Sequence, residues 1–168
     1  LDSTITQADA AMSSIVRRDT NKSYASYAKD LAKQAGDEPT RAGAARVDRK
    51  RPGRKTSNKD WKSSTDPEAR ITRAKDGRTV LGYKPEHLVD LESGAIVTAT
   101  LNSADIDDRK TMMETLHAAE EDLDFLDQSV VGAALVADKG YHSTEVLSTC
   151  AAIDITTYIA EPKQRQKR

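Results

Sequence analysis

A single cysteine, Cys150, in 168 residues excludes an internal disulfide, a cysteine zinc cage and a redox cysteine pair. No apolar run approaches the roughly 18 residues that span a bilayer, and no secretory leader pattern is present. These absences point to a reducing cytoplasm. Aromatic residues make up only 4% of the chain and hydrophobic residues 37%, against 32% charged. One core of ordinary size is therefore the ceiling, and part of the chain is expected outside it. A glycine-rich phosphate loop, a Ser-His-Asp signature and an HExxH helix are also missing. The chain opens at Leu1, already inside a strand-like segment, which reads as a fragment of a longer protein.

Charge is present in quantity and is segregated. The formal net charge is -1, yet Arg41 to Lys62 holds nine basic residues against two acids, a local +7. Asp105 to Asp127 holds nine acids against Arg109 and Lys110, a local -7. A polyanion would meet a positive field in the first of these segments. The bland alternative is a solvated loop with no partner.

Hydrophobic spacing supplies the elements. Leu1 to Thr6 has the β-branched alternation of a strand end, and Met12, Ile15 and Val16 suggest the start of a helix. Tyr24, Tyr27, Ala28 and Leu31 recur at helical spacing, with Gly36 as the stop. From Asp37 to Asp66 the chain is polar and punctuated by Pro39, Gly43, Pro52 and Gly53, which predicts a flexible basic insertion with Trp61 pinning its end. Val80 to Leu91 and Ala95 to Leu101 read as a hairpin turning at Glu92-Ser93-Gly94. Asp107 or Asp108 then caps a helix whose buried stripe is Met112, Leu116, Ala119, Leu123 and Leu126. The continuous apolar run Val130 to Ala137 predicts a central strand covered by helices on both faces. Ser143 caps a helix carrying Val146, Leu147 and Cys150, and Ile155 to Ala160 forms the last strand. The class is mixed α/β, antiparallel early and parallel late.

Two carboxylates stand where such sheets bind ligands. Asp138 ends the apolar run, beside Gly140, and Asp2 ends the first strand. If those strands are neighbours, the two acids converge and repel unless a cation lies between them. Mg²⁺ suits such a site, since it prefers oxygen and needs few protein ligands. The alternative is that Asp138 caps the next turn and Asp2 is merely solvated. His87, His117 and His142 lack metal-ligand spacing, Asp90 reads as a turn residue, and Cys150 as packing.

Four blocks in order resemble a known family. Leu1-Asp2-Ser3-Thr4-Ile5 with Gln7-Ala8-Asp9-Ala10 resembles the first catalytic block of bacterial insertion-sequence transposases with a DDE domain. Thr65-Asp66-Pro67-Glu68-Ala69-Arg70 resembles a second element of that group, and Gly82-Tyr83, His87-Leu88-Val89-Asp90 and Ser93-Gly94-Ala95-Ile96-Val97 its central hairpin. Val136-Ala137-Asp138-Lys139-Gly140-Tyr141-His142-Ser143 is similar to its second acidic block.

The resemblance implies an RNase H-like mixed sheet flanked by helices, here incomplete, with the basic insertion after the first strand. It implies one partial catalytic domain over residues 1–168, cut off from an upstream DNA-binding region and a later part bearing the third acid. It carries over Asp2 and Asp138 as catalytic acids and ligands of Mg²⁺ or Mn²⁺, with DNA as substrate. Water and then a DNA 3′-hydroxyl would be the successive nucleophiles. No glutamate matches the family's third acid, since Glu161 follows a strand too closely. Arg46, Arg49, Lys50, Arg51, Arg54 and Lys55 are expected on DNA backbone. A full-length protein could form a homodimer. A non-catalytic DNA-binding remnant and an RNase H-like nuclease are the alternatives.

Overall fold

The computed structural model describes residues 1–52 and 56–162 and divides them into two compact units. Unit 1 comprises Leu1–Thr4, Lys84–Asn102 and the chain from Ile106 onward; unit 2 comprises Ile5–Tyr83 and Ser103–Asp105. Nine strands, four α-helices and two short 3-10 turns make up the described residues. The mixed α/β class expected from the sequence is present.

In unit 1, β1 (Asp2–Ser3) pairs antiparallel with the far half of β6 (Thr79–Val89), setting Asp2 opposite His87 and Ser3 opposite Glu86. β7 (Ile96–Ser103) also pairs with β6, across a tight turn in which Gly94 holds a φ of +73°. Asp90 stabilises that turn by accepting from the Ser93 amide at 2.9 Å and from its hydroxyl. α3 (Asp108–Asp124) starts on Asp107, whose carboxylate accepts from the Arg109 amide at 3.1 Å. β8 (Ala134–Ala137) and β9 (Thr156–Ile159) pair in parallel around α4 (Thr144–Ala152), capped by Ser143.

The interior of unit 1 is aliphatic: Leu88, Met112, Leu116, Ala119, Leu135, Val146, Cys150 and Ile155 form one cluster with Tyr141. The predicted α3 stripe is buried as far as Ala119, whereas Leu126 lies beyond the helix and is 61% exposed. Only Ala134–Ala137 of the long apolar run is a strand, because the chain turns at Val131-Gly132. Leu135 faces the core, while Val136 on the opposite face is 47% exposed, so the expectation of cover on both faces is not met.

In unit 2, the near half of β6 carries β2 (Thr6–Gln7) and β5 (Arg70–Arg73). β3 (Ile15–Arg17) pairs antiparallel with β4 (Trp61–Ser63). The helix expected at Met12 to Val16 is absent. One 3-10 turn at Met12–Ser14 leads into β3, because β-branched Ile15 and Val16 are followed by a turn at Arg18 to Thr20. α1 (Tyr24–Gln34) is capped by Ser23 and packs on α2 (Arg41–Lys50), capped by Thr40. Regular structure thus stands where a flexible insertion was expected: Thr40 caps α2, Ala44 is buried, and Trp61 in β4 is 1% exposed. Among the described residues, no helix is long and apolar enough to cross a membrane.

Candidate active site

Strand parity decides where the acids point. Residues directly opposite in an antiparallel pair project from the same face of the sheet. Asp2 therefore shares a face with His87, and Ser3 shares the other with Glu86. Lys84, Glu86 and Leu88 are buried on that inner face, under α3, while Asp2 lies exposed on the outer one.

β1 is held on its other side too. The backbone nitrogen of Leu1 donates to the carbonyl of Val136 in β8 at 2.7 Å. That contact brings the first strand beside the strand that delivers Asp138. Asp2 and Asp138, 136 positions apart in sequence, line one pocket of about 650 Å³ with Leu1, His87, Val136 and Ala137. Both acids expected from the sequence thus line the same pocket. His87 is the residue sequence reasoning missed. It has no metal-ligand spacing along the chain, and only its register opposite Asp2 reveals it.

Each carboxylate keeps one oxygen uncommitted. Asp2 Oδ1 accepts from the Ser3 amide at 2.9 Å, and Asp138 Oδ1 accepts from the Lys139 amide at 2.6 Å. The latter caps a 3-10 turn at Lys139–Tyr141, so Asp138 also has the capping role its sequence context suggested. Among the described residues, neither Oδ2 accepts a hydrogen bond. Two hard oxygen donors facing one pocket suit a magnesium-like cation, which retains water and binds through one or two carboxylates. Among the described residues, no group of three or more His, Cys, Asp or Glu is placed to hold a metal. His87 lines the pocket without completing such a set.

A polar network lies beneath. Lys84 Nζ donates to Ile106 O at 2.8 Å, Asp108 Oδ1 at 2.9 Å and Thr111 Oγ1 at 3.1 Å. Glu86, fully buried, accepts from the Thr111 hydroxyl and from Thr115 Oγ1 at 2.7 Å. Tyr141 is buried beside it, and burial pushes its phenol well above the ordinary range. Its hydroxyl makes no hydrogen bond among the described residues, although Ser3 and Glu86 are its polar neighbours.

The other residues singled out from sequence fall elsewhere. His117 meets Glu121 at 3.5 Å on the exposed face of α3. Cys150 is buried, and burial raises its thiol pKa, so packing is its role. On α2, Arg49 and Lys50 are exposed, and Arg46 is exposed while meeting Asp37 at 3.1 Å. Spacings of three and four place Arg46, Arg49 and Lys50 on one helix face. Arg51 is turned inward, 3.1 Å from Asp48 and over the Tyr27 ring at 5.6 Å, so its expected place on a DNA-facing surface is not borne out in unit 2. Arg54 and Lys55 lie outside the described residues.

The transposase DDE domain family matches residues 50–168, a span that contains Asp138 and excludes Asp2. No curated protein and no solved structure matches the chain significantly. With most of its length matched, the chain belongs to the transposase DDE domain family.

Proposed function

We propose that unit 1 carries two of the metal-binding acids of a transposase active site, Asp2 and Asp138, and serves metal-dependent cleavage and joining of DNA. The observation that supports this reading most is their shared pocket, reached from opposite ends of the chain. Divalent metal ions are general in this family. Such an ion, when bound, lowers the pKa of an attacking water or hydroxyl and offsets charge on the phosphodiester. The free Oδ2 atoms of Asp2 and Asp138 would hold it. His87, on the same face, is placed to contact a phosphate or a metal-bound water.

The third acid of the family's set has no counterpart beside this pair among the described residues. The chain by itself is therefore expected to bind metal weakly and to lack strand transfer. Mn²⁺ titration followed by electron paramagnetic resonance tests the pair: Asp2→Asn and Asp138→Ala should each abolish binding. A supercoiled-plasmid assay tests the activity. Robust Mn²⁺-dependent nicking, lost in Asp138→Ala, would overturn the claim of inactivity.

In unit 2, the exposed Arg46, Arg49 and Lys50 face of α2 is proposed to contact DNA phosphates. Backbone contact predicts steep salt dependence with little sequence preference. Replacing all three by glutamine should reduce the salt slope of duplex binding by roughly 3, at about 0.9 per contact. Mn²⁺ binding should survive that change. If DNA binding follows the α2 charges while Mn²⁺ ignores both acids, the chain is a non-catalytic DNA-binding module.

A further inference from the structure

We propose that Asp108 is a positioning residue that fixes the two acid-bearing segments against each other; the proposal rests on the reading of Asp2 and Asp138 as a metal-binding pair. Asp108 Oδ1 accepts from the Ser3 hydroxyl at 3.1 Å. Ser3 directly follows Asp2, and the strand alternation that sends Asp2 outward sends Ser3 inward to reach Asp108. Oδ2 of the same carboxylate abuts Gly140, two residues beyond Asp138. A Cβ added at Gly140 would lie 2.7 Å from it. One carboxylate therefore bonds the residue after Asp2 and occupies the space beside the residue two beyond Asp138.

Asp108 is not there to cap its helix. Asp107 does that, through the Arg109 amide. The Asp108 side chain turns to Lys84 instead, whose ammonium sits 2.9 Å from Oδ1 and is itself almost fully buried. Every proton of that ammonium has an acceptor: Ile106 O, Asp108 Oδ1 and Thr111 Oγ1. Glu86 Oε1 stands 3.4 Å away, its own oxygens taken up by Thr111 and Thr115.

Burying such charges is unfavourable compared with packing aliphatic side chains, so their retention argues for fixed geometry rather than added stability. A saturated network of this kind admits one arrangement, because any shift leaves a buried charge unpaired. Its free end is Asp108, and Asp108 is the member that reaches both acid segments.

The test is Mn²⁺ affinity in the whole chain, measured beside chemical denaturation. Asp108→Asn keeps the shape of the side chain and removes its charge. It should weaken Mn²⁺ binding roughly tenfold, the lower end for groups that orient metal ligands, in protein that remains folded. Ser3→Ala removes the hydroxyl that bonds Asp108 and leaves Lys84 paired, whereas Gly140→Ala sets a methyl 2.7 Å from Oδ2 and displaces the carboxylate; each should weaken binding severalfold. Ser3→Ala should add little on top of Asp108→Asn, since both break one link. If Asp108→Asn fails to fold, Ser3→Ala, which removes one hydrogen bond and leaves Lys84 paired, decides the matter.

A merely structural Asp108 would lower the denaturation midpoint and leave Mn²⁺ affinity of the folded protein unchanged. That result, with binding still lost in Asp138→Ala, overturns the positioning role alone. Unchanged Mn²⁺ affinity in Asp2→Asn and Asp138→Ala overturns the metal-pair reading and the positioning role with it.

Discussion

Unit 1 and unit 2 draw on the same poor supply of apolar residues and fill their interiors differently. Unit 1 packs Leu88, Met112, Leu116, Leu135, Val146 and Ile155 into an aliphatic cluster and then places a lysine and a glutamate beside it. Unit 2 gathers around one large side chain, Trp61, with Ala8, Ile15, Ala69 and Leu81. Tyr24 and Tyr27 meet that indole at 5.1 and 5.4 Å between ring centroids, and Arg17 lies over both Tyr27 and Trp61. The difference teaches where each unit can be broken. Unit 2 concentrates its burial in one residue, whereas unit 1 spreads its burial and concentrates its polarity.

Trp61→Ala should therefore have the largest effect of any single change in unit 2. Truncating a buried tryptophan costs about 3–5 kcal/mol through lost transfer energy and a residual cavity. The aromatic contacts of Tyr24 and Tyr27 go with it. Urea denaturation combined with hydrogen exchange should show β3, β4 and α1 losing protection. A loss below about 1 kcal/mol would mean the aromatic cluster is not the core of unit 2.

The matching experiment in unit 1 acts on charge. Lys84→Met leaves Glu86 and Asp108 without their cation, and removing one member of a buried pair costs about 3 kcal/mol or more. The double variant Lys84→Met with Glu86→Leu removes both buried charges and should recover much of that loss. Denaturation midpoints of the two variants check this. If the double is as unstable as the single, the pair contributes net stability, and the argument for geometry over stability weakens.

This contrast explains what could be read from the sequence. The α3 stripe, the β6–β7 hairpin, the α4 cap at Ser143 and the strand leading into Asp138 follow from local periodicity and end signals. The shared pocket of Asp2 and Asp138 was legible only as a conditional, because it depends on β1 pairing with β6 while the Leu1 nitrogen reaches Val136 of β8. His87 was not legible, since its place comes from register rather than spacing. Lys84 and Glu86 alternate with Tyr83, Pro85 and His87, so a polar pair marks the buried side of the strand. No period analysis reads a lysine and a glutamate as interior; Thr111 and Thr115, one helical turn apart on α3, make it so. α2 was hidden by its charge. Its buried side consists of Gly43 and Ala44, too small to register as an apolar stripe.

At the start of α3 the expected effect is smaller. Asp107→Ala should cost about 1 kcal/mol, as an N-cap does. Arg109, bonded to both Asp107 oxygens at 2.7 and 2.6 Å, holds that carboxylate down at about 2, below its ordinary 3.8. A lowered carboxylate contributes stability above its unfolded pKa, and that contribution is lost as pH falls through the folded one. The difference between wild type and Asp107→Ala in denaturation should hold above pH ~4 and shrink towards pH ~2. A difference that stays constant across that window would place the stabilisation outside the carboxylate.

The smallest effect belongs to unit 2 and has the opposite sign in pH. Burial, and then the hydrogen bond its hydroxyl donates to Asp48 Oδ2 at 2.7 Å, push the Tyr24 phenol up to about 12 from 10.0. Folding thus favours the protonated phenol. Its contribution is whole below the unfolded pKa and disappears as pH rises through the folded one, so the window runs from pH ~10 to ~12. Tyr24→Phe removes the titration while keeping most of the ring contact with Trp61. Wild type should lose stability faster than Tyr24→Phe across that window, and the two curves should run parallel below it. Tyr83 and Tyr141 also have raised pKa values, but both are present in both proteins and cancel in the difference. Tyrosinate absorbance of the folded protein gives an independent check: one phenol fewer should titrate late in the variant. Parallel curves throughout would show that Asp48 is held by other partners and that the aromatic cluster of unit 2 is sustained by packing alone.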